Sequence, residues 1–219
     1  MSIESCRSLC EYFAKELSAK VYAVDYRLAP EHKYPTQLND GNAAFDWVLA
    51  NASELEIDPK RISVAGDSAG GNLTAALCLK RRDTGAVLPK AQMMVYPFVD
   101  YTLSYPSMDE LGEGHIITKK HLEWFRSNFL PDEALVKDPY VSPLFAPDLS
   151  GLPPAVVVTA GFDLLRDEAK AYADRLSEAG VETQYKEFSS DGHGFMYADT
   201  TASVRAANAN IVAMFKPLL

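Results

Sequence analysis

Apolar residues repeat with helical spacing from Ser2 to Leu17, where Leu9, Phe13 and Leu17 share a face. The period then changes at Lys20 to Asp25 (KVYAVD), a β-branched and aromatic run that predicts a short strand. Breaker-rich residues Tyr26 to Pro35 follow, then a helix from about Gln37 to Asn51, a strand at Arg61 to Ala65 and a helix from about Gly70 to Arg82. Gln92 to Tyr96 (QMMVY) and Ala155 to Thr159 (AVVVT) are unbroken apolar runs of the kind buried on both faces of a sheet. Helix Arg166 to Ala179, strand Glu182 to Phe188 and helix Thr201 to Phe215 close the pattern. Five strands alternating with helices predict an α/β fold: a mostly parallel sheet with helices on both faces and ligands at the carboxyl ends of the strands. Residues 97–154 are too long for an ordinary connection. They contain a helical pattern from Lys119 to Phe129, and are expected to form a lid over those strand ends.

Composition narrows the class. A chain of 219 residues with 47% apolar positions is sized for a single domain over residues 1–219, with room for a core. The balance of 21 basic against 30 acidic residues, net −9, offers nothing to a phosphate backbone or an anionic membrane, so no nucleic-acid partner is expected. No stretch is long and apolar enough for a membrane span. Met1 to Ser8 lacks the apolar core of a signal peptide, so a cytoplasmic location is the expectation. Cys6 and Cys10, four apart, are expected as ordinary buried thiols on one helix face, and three cysteines make no disulfide framework. None of the four histidines stands at zinc-binding spacing to another or to a cysteine, so neither metal nor cofactor is expected.

The candidate chemistry centres on Gly66-Asp67-Ser68-Ala69-Gly70-Gly71, which follows an apolar strand and opens a helix. This is G-x-S-x-G in a strand-turn-helix context, where small flanking residues let the backbones crowd and the serine hydroxyl stands clear of the sheet. A dinucleotide loop is not matched, nor is a Walker loop, which needs Gly-Lys-Ser/Thr. A serine hydroxyl needs a base, and the base needs an acid to orient it, in the chain order Ser, acid, His. His193 lies in a small-residue loop directly after the last strand, whereas His115 and His121 fall before and on the lid helix and are expected to face solvent. Asp163 stands just past Ala155–Thr159 and is the preferred acid. Asp167, one turn on, is expected to cap or salt-bridge, and Asp191 is too close in sequence to His193 to reach its Nδ1.

With these segments in view, the chain resembles the hormone-sensitive-lipase-like (bacterial family IV) carboxylesterases of the α/β-hydrolase superfamily. The resemblance rests on Val24-Asp25-Tyr26-Arg27-Leu28-Ala29-Pro30-Glu31-His32, on Gly66 to Gly71 and on Asp138-Pro139-Tyr140-Val141-Ser142-Pro143. Asp163 to Glu168 and His193-Gly194-Phe195 complete it. It implies a serine carboxylesterase acting on small-molecule esters, with Ser68, Asp163 and His193 as triad and the Ala69 N–H as one oxyanion donor. Short to medium acyl chains are implied as substrates, with Met108, Phe125 and Phe129 as candidate pocket residues. The family's His-Gly-Gly-Gly loop, which completes the oxyanion hole, has no counterpart in this sequence. The expectation is therefore a chain truncated before that motif, lacking the first three strands and the amino-terminal cap. One of those strands would lie between Lys20–Asp25 and Arg61–Ala65, leaving sheet edges through which a homo-oligomer could form. The rival expectation is a non-catalytic relative that binds a ligand or partner without turnover.

Overall fold

The structure, a computed structural model, describes residues 3–197 and 201–219. Helix α1 (Ile3–Leu17) opens the chain and α2 (Thr36–Ala50) follows. Next come β1 (Val64–Asp67), α3 (Ala69–Asp83) and β2 (Gln92–Val95). The long connection holds α4 (Ser107–Glu110) and α5 (Lys119–Phe129). Then come β3 (Ala155–Phe162), α6 (Arg166–Glu178), β4 (Thr183–Gly192) and α7 (Ala202–Phe215). The described strands form one parallel sheet in the order β1-β2-β3-β4.

Two apolar layers sandwich the sheet because successive strand side chains point to opposite faces. Met94 and Val157 face Leu38 and Phe45 of α2, Ala75 to Leu79 of α3 and Tyr172 and Leu176 of α6. Their neighbours Met93, Val95, Val156 and Val158 face Phe13 of α1 and Ile211 and Phe215 of α7. A third cluster belongs to the long connection, where Phe98, Tyr101, Met108, Leu122, Leu130 and Val141 pack with Leu164 and Leu165. That connection is therefore seated on the start of α6, beside the carboxyl ends of the strands.

The predicted strand Lys20–Asp25 is absent: these residues are irregular and exposed. Val21, Tyr22 and Val24 stand 42%, 40% and 44% accessible. A β-rich run becomes a strand only against a neighbour, and this one faces a cleft of about 1520 Å³ instead of a strand. Across that cleft lies β1, paired among the described residues on one side only, with Ala65 exposed while all four residues of β2 are buried. Its start also shifts. Asp58 accepts from the Lys60 N–H and holds Pro59–Arg61 in a 3-10 turn, so pairing begins at Val64 rather than Arg61. The last two strands run further than their apolar runs indicated, and this extension positions the site.

Candidate active site

Ser68 sits at the tip of the turn between β1 and α3 with φ 53° and ψ −118°. The main chain around it is held from both sides: Ser68 N–H donates to the Val95 carbonyl at 2.9 Å, and the Ser68 carbonyl accepts from Asn72 N–H at 3.1 Å. The turn is tight enough that a Cβ on Gly66 would lie 2.2 Å from the Gly70 carbonyl, and one on Gly71 would lie 2.8 Å from Pro97 Cβ. No side chain fits at either position.

The other two residues arrive by register. In the parallel β3–β4 pair, Phe162 lies opposite Gly192, so the next residue on each strand, Asp163 and His193, emerge side by side. An irregularity between Ala160 and Phe162 brings the strands so close that a Cβ on Gly161 would meet the Ser189 carbonyl at 2.3 Å. The Asp163 carboxylate is buried, and its Oδ2 lies 2.7 Å from His193 Nδ1. Oδ1 accepts from the Leu165 N–H at 3.0 Å, which fixes the carboxylate plane. His193 Nε2 lies 3.0 Å from Ser68 Oγ. Sequence reasoning singled out Ser68, Asp163 and His193, and the structure brings them into one hydrogen-bonded chain.

The remaining candidates fall as follows. Ala69 is the first residue of α3 and exposed, and a helix leaves its first N–H groups without intrahelical acceptors, so this one is available to a ligand beside Ser68. Asp167 pairs with Arg166 at 2.8 Å and accepts from the Ser107 N–H. His121 is exposed and closes a reciprocal cap with Thr118 at the start of α5, while His115 stacks on Phe162. Of the three pocket candidates only Phe125 lines the cleft that holds Ser68 and His193. Met108 is fully buried in the connection's own core and Phe129 stacks on Tyr101, so both serve packing. Cys6 and Cys10 are free and half-buried rather than buried, because α1 turns that face toward the open cleft. Partial burial, and then the neighbouring Cys6, push the Cys10 thiol up to about 11, away from thiolate chemistry.

Sequence reasoning missed four side chains. Tyr96 directly follows β2 and packs against His193, its ring 4.6 Å from the His193 ring, and is almost fully buried. Tyr197 donates its hydroxyl to Asp67 Oδ1 at 3.0 Å, tying the segment after His193 to the residue before Ser68. Burial pushes the Asp67 carboxyl above its ordinary range, while that hydrogen bond and nearby His193 pull it back. Glu168 is a buried acid in the first turn of α6. Only Asp67 carried a signal, its place inside the motif.

A nucleophile on a strained strand-to-helix turn, with acid and base on the ends of neighbouring parallel strands, defines the class of serine-dependent α/β enzymes. The family model described as alpha/beta hydrolase fold matches residues 1–197, and the chain belongs to that family. It is 40% identical over 209 residues to the carboxylic ester hydrolase LipN of Mycobacterium tuberculosis, covering 93% of this chain and 56% of that protein. It is 39% identical to an arylesterase of Saccharolobus solfataricus, covering 99% of this chain and 70% of the relative. The crystal structure of EstE1, a thermophilic carboxylesterase from a metagenomic library, superposes with a TM-score of 0.96 at 38% identity. That match covers all of this chain and 76% of EstE1. The chain thus spans between about half and three-quarters of the length of these relatives.

Proposed function

We propose that this polypeptide is a carboxylic-ester hydrolase working through an acyl-enzyme, with Ser68 as nucleophile, His193 as base and Asp163 as orienting acid. The observation that carries the reading is the Asp163–His193–Ser68 chain at 2.7 Å and 3.0 Å. His193 Nε2 takes the Ser68 proton as Oγ attacks the ester carbonyl, and the imidazolium is stabilised by the buried Asp163 carboxylate. The tetrahedral oxyanion is met by the Ala69 N–H. Collapse expels the alcohol with the proton from His193, and water, activated by the same imidazole, hydrolyses the acyl-serine. Phe125 on α5 contributes an apolar wall for an acyl or aryl group, and residues 97–154 act as the lid.

We propose further that the full oxyanion hole needs donors from polypeptide outside these 219 residues. What supports this is the cleft between Lys20–Asp25 and β1, beside Ala69, and the greater length of the relatives. Loss of one oxyanion donor costs about 100- to 1,000-fold in rate. The chain alone is therefore expected to turn over slowly but measurably. The test is hydrolysis of 4-nitrophenyl acetate and butyrate by wild type and Ser68→Ala. Turnover that disappears in the variant supports the reading; equal rates in both would favour the binding role.

A further inference from the structure

Glu168 has no part in the chemistry above, yet it is a completely buried carboxyl group, and among the described residues no ion pair includes it. Its Oε1 accepts from two consecutive main-chain N–H groups, Val99 at 2.7 Å and Asp100 at 3.0 Å, while Oε2 is buried with no partner. The segment it grips is the one on which the nucleophile turn rests. Phe98 N–H donates to the Ser68 carbonyl at 3.3 Å, Asn72 Nδ2 donates to the Phe98 carbonyl at 2.7 Å, and Pro97 fills the space against Gly71. Glu168 itself stands five residues after Asp163, on the helix whose start that acid fixes.

We propose that Glu168 is a positioning residue whose carboxyl oxygen clamps Val99 and Asp100 and so holds the Ser68 turn in register with Asp163 and His193. This inference rests on the esterase reading. Two adjacent N–H groups converging on one oxygen need an acceptor that water cannot supply in a sealed core. A carboxyl on a rigid helix provides it without following the motions of the connection. The groups facing Glu168 are acidic or neutral: Asp100 on the clamped segment and Asp163 ahead of its own helix both raise its affinity for a proton, and the Tyr101 and Tyr105 phenols sense its charge. Burial, first, and Asp100, second, push the carboxyl well above its ordinary range, with the two N–H bonds pulling the other way. The clamp needs only one acceptor oxygen on a side chain of this length, which glutamine also offers.

The experiment compares wild type, Glu168→Ala and Glu168→Gln in the rate at which a fluorophosphonate labels Ser68 and in hydrogen exchange at the Val99 and Asp100 amides. Misplacing a reacting group by about 1 Å costs on the order of 100-fold. Glu168→Ala should lose labelling rate on that scale with little change in probe affinity, and both amides should exchange faster. Glu168→Gln should keep both near wild type. The pH dependence of stability gives an independent reading. The unfolded chain releases this proton near the ordinary glutamate range of about 4.3 and the folded chain does so at higher pH, so wild type loses stability relative to Glu168→Gln as pH rises through that interval. A folded Glu168→Ala that labels as fast as wild type, or a Glu168→Gln as impaired as alanine, overturns the proposal. If the alanine variant does not fold, the glutamine variant decides by the same two readouts. Failure of wild type itself to label would sink the esterase reading, while the amide exchange would still judge the clamp.

Discussion

At the scale of single residues, the site depends on what is missing as much as on what is present. Gly66 crosses the Gly70 backbone so closely that even a methyl group has nowhere to go. Gly66→Ala is expected to cost about 3 kcal/mol or more through forced displacement of the turn, with loss of Ser68 reactivity, read as a lower urea midpoint and slower labelling. Ser68, Asp163 and His193 were legible because each sits in a local pattern whose spacing to a strand end is short. Tyr96, Tyr197 and Glu168 were not. Their roles come from contacts across the chain: Tyr197 reaches Asp67, and Glu168 reaches Val99 and Asp100. An isolated tyrosine or glutamate carries no mark of such a partner in the sequence around it.

Among the elements, the helices of three turns or more were read within a residue or two because amphipathic periodicity is a local property, and α5 falls on Lys119–Phe129 as expected, whereas the four-residue α4 is too short to show a period. Strands depend on neighbours. Lys20–Asp25 has strand-like residues and no ladder, while the polar stretch Ser189 to Gly192 reads as loop yet extends β4 by pairing with β3. The open side of β1 gives a direct expectation. Val64 N–H and Ser68 N–H donate toward β2, to the Ala91 and Val95 carbonyls, so by the alternation of a parallel ladder the Ala65 N–H points into the cleft. Its exchange with solvent should be about 100-fold faster than that of Val157, which is buried between β2 and β4. Comparable protection at both amides would mean that something already pairs with β1. A strand supplied from elsewhere would slow Ala65 selectively.

For the whole molecule, alternation of strands and helices was enough to place the sheet and its two helical layers, and Ser68, Asp163 and His193 meet at the carboxyl ends of the strands. Strand order was not visible, because pairing is set by the register of segments far apart in sequence. The order β1-β2-β3-β4 puts Ser68 at one edge of the sheet and Asp163 and His193 on its far half, with Tyr96 just past the end of the strand between them. The central claim is that these parts act as one unit: His193, held by Asp163, activates Ser68. The most direct test is mass analysis of the 219-residue chain after reaction with a fluorophosphonate, in wild type, Ser68→Ala and His193→Ala. The account predicts a single adduct mapped to Ser68 in wild type, none in Ser68→Ala, and formation slower by a factor of about 1,000 or more in His193→Ala. Folded wild type that forms no adduct, or His193→Ala labelled at the wild-type rate, would contradict it.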